Sequence, residues 1–373
     1  TLRPEITGIA PLYYVGVGAS AGGLEALEAF FTAMPTDSGM AFIVIQHLSP
    51  DYKSMMVELL SKRTAMPVRR AEEGILVEAN SVYLIPPKKN LTIFHGKLLL
   101  SESDHSRGIN LPIDVFLRSL ADDQAEKAIA VILSGTGSDG VRGIRAIKEA
   151  GGMVTVQSEE SARFDGMPRA AIGTGLADFI LPPDEIPPKL IAFSRHPYAV
   201  KADRPLLLSD EDGLTRIFAL LRERTRVDFT FYKPSTMVRR IERRMTLNQM
   251  HELRDYVKFM ENYSGEVTAL YRDLLIGVTS FFRDREIFAE LETLYLPQLF
   301  NRIKTRDVRF WVAGCSTGEE AYSLAMMSRE VLKGLDKRLD LKIFATDLDR
   351  DAILRASSRS EERRVGKECR SRW

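Results

Sequence analysis

Three side chains of this sequence have the residue types of a hydrolytic catalytic triad. Ser20 lies in Gly18-Ala19-Ser20-Ala21-Gly22, which has the G-x-S-x-G form of a nucleophile elbow. His47 and Asp139 each follow another apolar run of the chain. A serine hydroxyl is a poor nucleophile until a base takes its proton, and a carboxylate can fix the tautomer of that base. The three residue types therefore predict hydrolysis through a serine nucleophile, with the backbone N–H of Ala21 as an oxyanion donor.

Strand-then-helix units must position these three residues. Apolar, β-rich runs at Tyr13–Val17, Ala41–Ile45 and Ala128–Leu133 alternate with helical stretches up to about residue 184. Continuous apolar runs suit strands that are buried on both faces, so the pattern predicts a doubly wound, mostly parallel α/β sheet. Functional groups gather at the carboxyl ends of the strands in such a sheet. All three candidate residues follow a predicted strand, so we expect them to lie together at the carboxyl ends of the strands.

Each candidate also has a simpler interpretation. A serine before a helix is often an N-cap, Asp-Gly is a common turn pair, and His47 could be a rim histidine without a catalytic role. The glycines at positions 16 and 18, followed by Ala21-Gly22, are also close to a dinucleotide-binding fingerprint. That fingerprint needs an acidic residue at the end of the second strand, where this chain has Gln46-His47. The chain order Ser, His, Asp favours a hydrolase lineage distinct from the α/β-hydrolases and the two protease orders.

Composition limits the classes of function. The chain has 373 residues, of which 45% are hydrophobic and 28% are charged, as expected for two or three globular domains. A formal net charge of +1 argues against a general nucleic-acid binder. No apolar run reaches the roughly 18 residues of a membrane span, so we expect no direct membrane insertion. The two cysteines, Cys315 and Cys369, lie in different contexts, which favours a reducing, cytoplasmic setting. We expect no metal site.

The second half begins with a linker at residues 191–210 and continues with helical stretches at 211–284, which predict a small all-helical domain. One of these helices carries a basic stripe at i, i+4 spacing, formed by Arg239, Arg240, Arg243 and Arg244. The simplest interpretation of the stripe is a solvated face paired with Glu242. A nucleic-acid interface is less consistent with the sequence, because interleaved aromatic residues are lacking.

A second α/β pattern at residues 285–356 predicts an incomplete Rossmann-like domain. A strand at Arg309–Ala313 leads into a glycine turn without the G-x-G-x-x-G of a pyrophosphate site. The next strand ends at Asp347, whose carboxylate could accept both ribose hydroxyls of S-adenosylmethionine. Alternatively, Asp347-Leu348-Asp349 could cap the following helix. Residues 357–373 are charged and have no apolar period, so we expect a disordered or non-native tail there.

Five stretches of the first half form a specific combination. They are Gly18-Ala19-Ser20-Ala21-Gly22-Gly23, Gln46-His47, Pro112-Ile113-Asp114-Val115-Phe116, Leu133-Ser134-Gly135-Thr136-Gly137-Ser138-Asp139-Gly140 and Phe164-Asp165-Gly166-Met167-Pro168-Arg169-Ala170-Ala171. With these, residues 1–190 resemble the CheB-type protein-glutamate methylesterases. The resemblance implies that Ser20, His47 and Asp139 hydrolyse glutamyl γ-methyl esters of a methyl-accepting chemoreceptor without a cofactor, and that glutamine deamidation is possible. It implies a second oxyanion donor at Thr136, where the family usually has methionine.

The sequence Thr279-Ser280-Phe281-Phe282-Arg283, the glycine turn and Asp347 resemble the CheR-type chemoreceptor methyltransferases. This resemblance implies S-adenosylmethionine contacts from Thr279, Arg283, Glu319 and Asp347, and receptor contacts from the four arginines of the basic stripe. The family usually has asparagine at the position of Gly277. Because the predicted sheet stops after two strands, we expect little or no methyltransferase activity and easier aggregation than in the esterase half. The alternatives to an esterase are a non-catalytic signalling scaffold that docks receptors and a small-ester hydrolase.

Overall fold

The computed structural model describes residues 9–46, 55–102, 110–196, 211–275, 277, 279, 281–335 and 338–361. The chain divides into two compact units, Thr1–Leu274 and Leu275–Trp373. Among the described residues, no helix is both long and apolar enough to cross a lipid bilayer.

A seven-stranded sheet forms the centre of the first unit. The strands of this unit are β1 (Tyr14–Ala19), β2 (Ala41–Gln46), β3 (Val68–Arg70), β4 (Ser81–Leu84), β5 (Lys89–Phe94), β6 (Lys97–Glu102), β7 (Ala128–Ile132), β8 (Met153–Gln157) and β9 (Phe179–Leu181). The sheet has the order β3-β4-β2-β1-β7-β8-β9, and each neighbouring pair is parallel. β5 and β6 form a separate antiparallel hairpin. The prediction of a parallel α/β sheet is confirmed.

Helices pack on both faces of this sheet. They are α1 (Gly23–Ala33), α2 (Met56–Ser61), α3 (Pro112–Gln124), α4 (Val141–Glu149), α5 (Gly166–Ile172) and α6 (Ile186–Ser194). Side chains of the strands alternate between two apolar cores, one shared with α1 and α6 and the other shared with α3 and α4. Val15 belongs to the first core, whereas Ile43 belongs to the second. Because these strands are buried on both faces, their sequences are continuous runs of apolar residues.

The glycines before the candidate nucleophile serve helix packing. Gly16 and Gly18 lie inside β1, and α3 crosses directly above them. A Cβ atom at Gly16 would lie 2.6 Å from Leu117 Cδ2, and one at Gly18 would lie 2.6 Å from Ile113 Cγ2. These glycines therefore form part of a strand against which a helix packs, and they do not form the phosphate-binding turn of a dinucleotide site.

The remainder of the first unit is all-helical, as predicted. Its helices are α7 (Glu211–Thr225), α8 (Pro234–Leu247), α9 (Leu253–Asn262) and α10 (Ser264–Leu274). The compact unit ends at Leu274, ten residues before the predicted end of the helical domain at residue 284 (284 − 274 = 10). Likewise, α6 continues to Ser194 and so covers the beginning of the predicted linker.

The second unit contains a parallel pair of strands. Its elements are α11 (Arg285–Glu290), a π-helical segment (Leu291–Tyr295), α12 (Leu296–Arg302), β10 (Asp307–Ala313), α13 (Glu319–Gly334), β11 (Asp340–Thr346) and α14 (Arg350–Glu361). Trp311 on β10 is 73% exposed and Phe344 on β11 is 54% exposed. The described sheet therefore leaves large apolar side chains uncovered. α14 also includes residues 357–361, which the sequence analysis assigns to the tail.

Candidate functional sites

Ser20 lies in the connection between β1 and α1, at the carboxyl end of the parallel sheet. Its backbone N–H donates to the carbonyl oxygen of Ser134 at 3.0 Å, and its carbonyl oxygen accepts from the N–H of Gly23 at 2.9 Å. The left-handed residue of this turn is Gly22, with φ 69°. Glycine adopts that conformation without a steric penalty, so the sharp turn leaves the nucleophile itself outside the left-handed region.

Ser134 joins the nucleophile turn to two neighbouring segments. Its buried hydroxyl donates to the carbonyl oxygen of Ala21 at 2.9 Å and accepts from the N–H of Phe164 at 3.0 Å. Its own backbone N–H donates to Oε1 of Gln157, the last residue of β8, at 2.7 Å. This role of Ser134 was not predicted from the sequence, although Ser134 lies within the matching stretch Leu133–Gly140.

Asp139 is buried, and its carboxylate is held by the beginning of α3. Oδ2 accepts from the backbone N–H of Ile113 at 3.0 Å, and Oδ1 accepts from that of Asp114 at 2.9 Å. The first N–H groups of a helix have no partner within the helix, so they are available to a carboxylate. The positive end of the helix dipole also favours negative charge at this position. Both effects fix the orientation of the Asp139 side chain.

The strand order brings Ser20 and Asp139 to the same end of the sheet. β1 lies between β2 and β7, and in the register Gly18 pairs with Ile132. Ser20 follows β1 and Asp139 follows β7, so both lie at the carboxyl ends of the parallel strands. On the other side, Gln46 pairs with Ala19. His47, which comes directly after Gln46 in the sequence, lies outside the described residues.

The loop that contains Thr136 packs beside the nucleophile. A Cβ atom at Gly135 would lie 2.9 Å from Ser20 Cβ, so only glycine allows this approach. Gly166 supports the loop from the other side, because a Cβ atom there would lie 3.0 Å from the backbone nitrogen of Gly137. Exposed Thr136 is therefore one residue from the contact with Ser20.

Asp114 is a second buried carboxylate beside Asp139 that sequence reasoning missed. Its Oδ1 accepts from the backbone N–H of Gly143, in the first turn of α4, at 2.8 Å. Burial raises the pKa of Asp114, and the negative charge of Asp139 raises it further. Its position in the stretch Pro112–Phe116 was the available signal.

In the second unit, Asp347 follows β11 as predicted and fixes the glycine turn. Its Oδ2 accepts from the backbone N–H of Ser316 at 2.7 Å, and its Oδ1 accepts from that of Asp349 at 2.8 Å. A carboxylate oxygen has more than one lone pair, so these bonds leave capacity for ribose hydroxyls. The cap of α14 comes from Asp349 instead, whose Oδ1 accepts from the backbone N–H groups of Asp351 at 2.9 Å and Ala352 at 3.2 Å. Asp347 therefore stays a candidate ribose ligand.

The other predicted cofactor residues lie near this turn to different degrees. Glu319 opens α13 and is buried, and its Oε2 accepts from the hydroxyl of Thr317 at 2.6 Å. A Cβ atom at Gly277 would lie 2.2 Å from Ser316 Oγ, so the segment before Thr279 meets the turn. Thr279 is half-buried in that segment, whereas Arg283 is exposed. The structure thus joins Glu319 and Asp347 to the turn directly.

The basic stripe differs from the prediction of an exposed face. Arg240 and Arg243 on α8 are only 5% and 6% exposed, and Arg244 forms an ion pair with buried Glu266 at 2.5 Å. The side chain of Arg239, in contrast, is 46% exposed. In this structure Arg240, Arg243 and Arg244 are bound to partners within the protein, so a receptor contact would require these side chains to leave them.

Family models match three successive parts of the chain. Residues 15–190 match the CheB methylesterase family. Residues 212–275 match the all-alpha domain of the CheR methyltransferases, and residues 277–366 match their SAM binding domain.

Relatives in other organisms match the same regions. An uncharacterized 104.1 kDa protein of Rhodobacter capsulatus is 40% identical over 317 residues, which are 79% of this chain and 33% of the relative. A protein-glutamate methylesterase/protein-glutamine glutaminase of Burkholderia orbicola is 37% identical over 48% of this chain and 53% of its own length. The chain thus spans between a third and about half of these relatives.

A solved structure, the CheB methylesterase catalytic domain of Thermotoga maritima, is 33% identical over 48% of this chain and 97% of that chain, with a TM-score of 0.45. The three family matches follow the structural division into a parallel α/β sheet, a helical domain and a second α/β unit. The chain belongs, domain by domain, to the CheB methylesterase family at residues 15–190 and to the CheR methyltransferase family at residues 212–275 and 277–366.

Proposed function

We propose that residues 15–190 hydrolyse glutamyl γ-methyl esters, with Ser20 as nucleophile, His47 as general base and Asp139 as the group that orients the base. The supporting observation is the position of Ser20 after the central strand β1, between the strands that precede Asp139 and His47. Nucleophile, base and orienting carboxylate then come from three adjacent strands. That order of strands supports a hydrolytic triad.

The proposed reaction proceeds in two steps. His47 takes the proton of the Ser20 hydroxyl as Oγ attacks the ester carbonyl carbon, and the developing oxyanion accepts hydrogen bonds from the backbone N–H groups of Ala21 and Thr136. The C–O bond to the methoxy group then breaks, and His47 returns the proton so that methanol leaves. Water, activated by His47, cleaves the glutamyl–Ser20 ester and restores the serine. The products are methanol and a glutamate carboxylate, and no cofactor is required.

The proposed substrate is a methyl-accepting chemoreceptor or a similar signalling protein in the cytoplasm. The names of the curated relatives support a methyl ester substrate, and they also include glutaminase activity. The proposal therefore extends to glutamine side chains, from which the same attack releases ammonia. On the helical domain, Arg239 is the one arginine of the basic stripe that we retain as a receptor contact, because its side chain is 46% exposed.

Covalent labelling separates this hydrolase from a scaffold that only docks receptors. The full chain is treated with a fluorophosphonate, which reacts with activated serines, and the adduct is located by peptide mass spectrometry. We expect one adduct, at Ser20, and its loss in Ser20→Ala. Ser61→Ala, which changes an exposed serine on α2, is the matched control and keeps the label. A wild-type chain that takes no label at Ser20 would contradict the proposal.

The second unit supports a second proposed function, S-adenosylmethionine binding. Its match to the SAM binding domain and the contact of Asp347 with the glycine turn favour this cofactor. We propose that Thr279, Arg283, Glu319 and Asp347 contact it. Because large apolar side chains, Trp311 and Phe344, are exposed on the described sheet, we expect weak binding and little methyl transfer. By calorimetry, we expect weak binding that Asp347→Ala abolishes. Binding that Asp347→Ala leaves unchanged would contradict the proposed contact, and tight binding would contradict the expectation of weak binding.

A further inference from the structure

The helix α8, here called the basic helix, contacts the methylesterase domain through two buried guanidinium groups, and exposed Arg239 adds an ion pair with Glu126 at 3.5 Å. Arg240 Nη1 donates to the carbonyl oxygen of Lys148 at 3.1 Å, and Nη2 donates to that of Glu149 at 3.2 Å. Arg243 Nη2 donates to the carbonyl oxygen of Gly152 at 3.0 Å, and Nε lies 3.2 Å from that of Gly151. These contacts join two parts of the chain that are about ninety residues apart in sequence.

The acceptors explain why arginines bind at this position. α4 ends at Glu149, and the last carbonyl groups of a helix lack partners within the helix. They also carry the negative end of the helix dipole, which favours a cation. Two guanidinium groups with several N–H donors each can satisfy these carbonyls together. The end of α4 is therefore a site whose chemistry fits arginine.

A charge cluster of Lys148, Asp178, Arg243 and Asp273 completes the contact. Arg243 bridges the two carboxylates, at 2.5 Å from Asp178 and 2.6 Å from Asp273. Lys148 Nζ also contacts both carboxylates, at 2.5 Å from Asp178 and 3.3 Å from Asp273. Each of the four side chains is 5% exposed or less. Two cations and two carboxylates thus neutralise each other inside the protein.

Each domain contributes half of this cluster. Lys148 and Asp178 belong to the methylesterase domain, whereas Arg243 and Asp273 belong to the helical domain. Burial opposes ionisation of Asp178, but Arg243 and Lys148 still hold its pKa below the usual range. The loss of a partner would leave a buried charge uncompensated, which is strongly unfavourable. The four groups therefore stabilise the contact only when both domains are present.

The contact lies at the amino ends of the strands, whereas the candidate active site lies at their carboxyl ends. Gly152 precedes β8 and Asp178 precedes β9, so both lie at the amino ends of their strands. Ser20 follows β1, at a carboxyl end, and neighbouring strands of this sheet are parallel. The described helical domain therefore contacts the amino ends of the strands and not the carboxyl ends, where Ser20 lies.

We propose that the basic helix is an intramolecular docking element. Its partner in the same chain is the methylesterase surface formed by the end of α4 and the amino ends of β8 and β9. Arg240 and Arg243 hold the helical domain on the esterase domain as one cooperative unit. In this state neither side chain is available to an acidic segment of a receptor.

The test cuts the chain between the two domains. A specific protease sequence is inserted between residues 203 and 204 of the full chain, and the purified protein is cleaved and passed over a size-exclusion column at physiological salt. We expect the two wild-type fragments to elute together. Separate elution of the wild-type fragments would overturn the proposal by itself, even if a variant proved insoluble.

Variants on the same helix then identify the groups responsible. After the cut, Arg240→Ala combined with Arg243→Ala is expected to release the fragments from each other, and Asp178→Asn is expected to weaken their association from the esterase side. Arg239→Ala is the matched control on the same helix: it removes only a half-exposed ion pair with Glu126 of the methylesterase domain, at 3.5 Å, which contributes little, so the fragments should stay together. Circular dichroism of each uncut variant establishes that it is folded. Fragments of a folded double variant that still elute together would contradict the role assigned to the two arginines.

Discussion

The backbone N–H of Asp114 donates to Oδ1 of Asp139 at 2.9 Å, so the first turn of α3 orients the carboxylate that is proposed to hold His47. The carboxylate of Asp114 in turn accepts from Gly143 at 2.8 Å and so connects α3 with α4. Two carboxylates side by side are held by backbone N–H groups from the beginnings of two helices. The loop 135–140 is thereby fixed at its end, where Asp139 lies.

Removal of the Asp114 carboxylate should loosen this arrangement. In Asp114→Ala the buried N–H of Gly143 loses its acceptor, which destabilises the fold by about 1–3 kcal/mol. Because a small displacement of Asp139 misplaces the base, we expect turnover to fall by about tenfold or more. Asp114→Asn retains an oxygen acceptor and should retain most of the stability.

Urea unfolding and ester hydrolysis measure the two effects of Asp114→Ala. Asp122→Ala, an exposed change on the same helix, should leave both unchanged. Wild-type stability and turnover in Asp114→Ala would show that the carboxylate does not position the site.

The hydroxyl of Ser134 should determine how well the nucleophile turn is held. Ser134→Ala removes the bonds to Ala21 and Phe164, so we expect fluorophosphonate labelling of Ser20 to slow by about 10- to 100-fold. Ser134→Thr retains a hydroxyl and should label near the wild-type rate, whereas Ser134→Val has nearly the shape of threonine without the hydroxyl and should be slow. Equal labelling rates in the threonine and valine variants would exclude the hydroxyl as the cause.

The strands that carry the site could be predicted from the sequence because apolar side chains surround them on both faces. Val15, Ile43 and Ile129 are fully buried, and a strand buried on both faces needs an unbroken apolar run. The edge strand Val68–Arg70 was not predicted, because it is short and contains two arginines. Ser20 and Asp139 could be assigned from motifs because each motif follows a strand directly.

The roles of Ser134 and Arg243 could not be derived in the same way, because they depend on contacts between distant parts of the chain. The hydroxyl of Ser134 meets Ala21, 113 residues earlier. The i, i+4 spacing of the arginines shows that they share a face of a helix but does not show what packs against that face. For Arg240 the partner is the end of α4, 92 residues earlier in the chain. Such partners become visible only in the fold.

The stability of the helical domain should depend on the ionisation of Glu242, on the basic helix. Partial burial raises the pKa of Glu242 to about 7, and the nearby charge of Glu126 adds to the shift. The folded state therefore holds this proton more strongly than the unfolded chain does. The resulting stabilisation is fully present below the usual value of 4.5 and is lost as the pH rises through 7.

Glu242→Gln mimics the protonated side chain at every pH and isolates this effect. Its melting temperature should equal that of the wild type near pH 4 and exceed it above pH 7. Glu223→Gln, which changes an exposed glutamate on α7, should give no such divergence. A constant difference between Glu242→Gln and the wild type across this pH range would refute the assignment.

Methanol release from a methylated chemoreceptor fragment tests the central claim most directly. The wild-type chain should release methanol catalytically, and Ser20→Ala should lower turnover by several orders of magnitude, as expected for a triad nucleophile. A panel of small esters run in parallel separates a receptor esterase from a general ester hydrolase. Methanol release by Ser20→Ala at the wild-type rate would contradict the account.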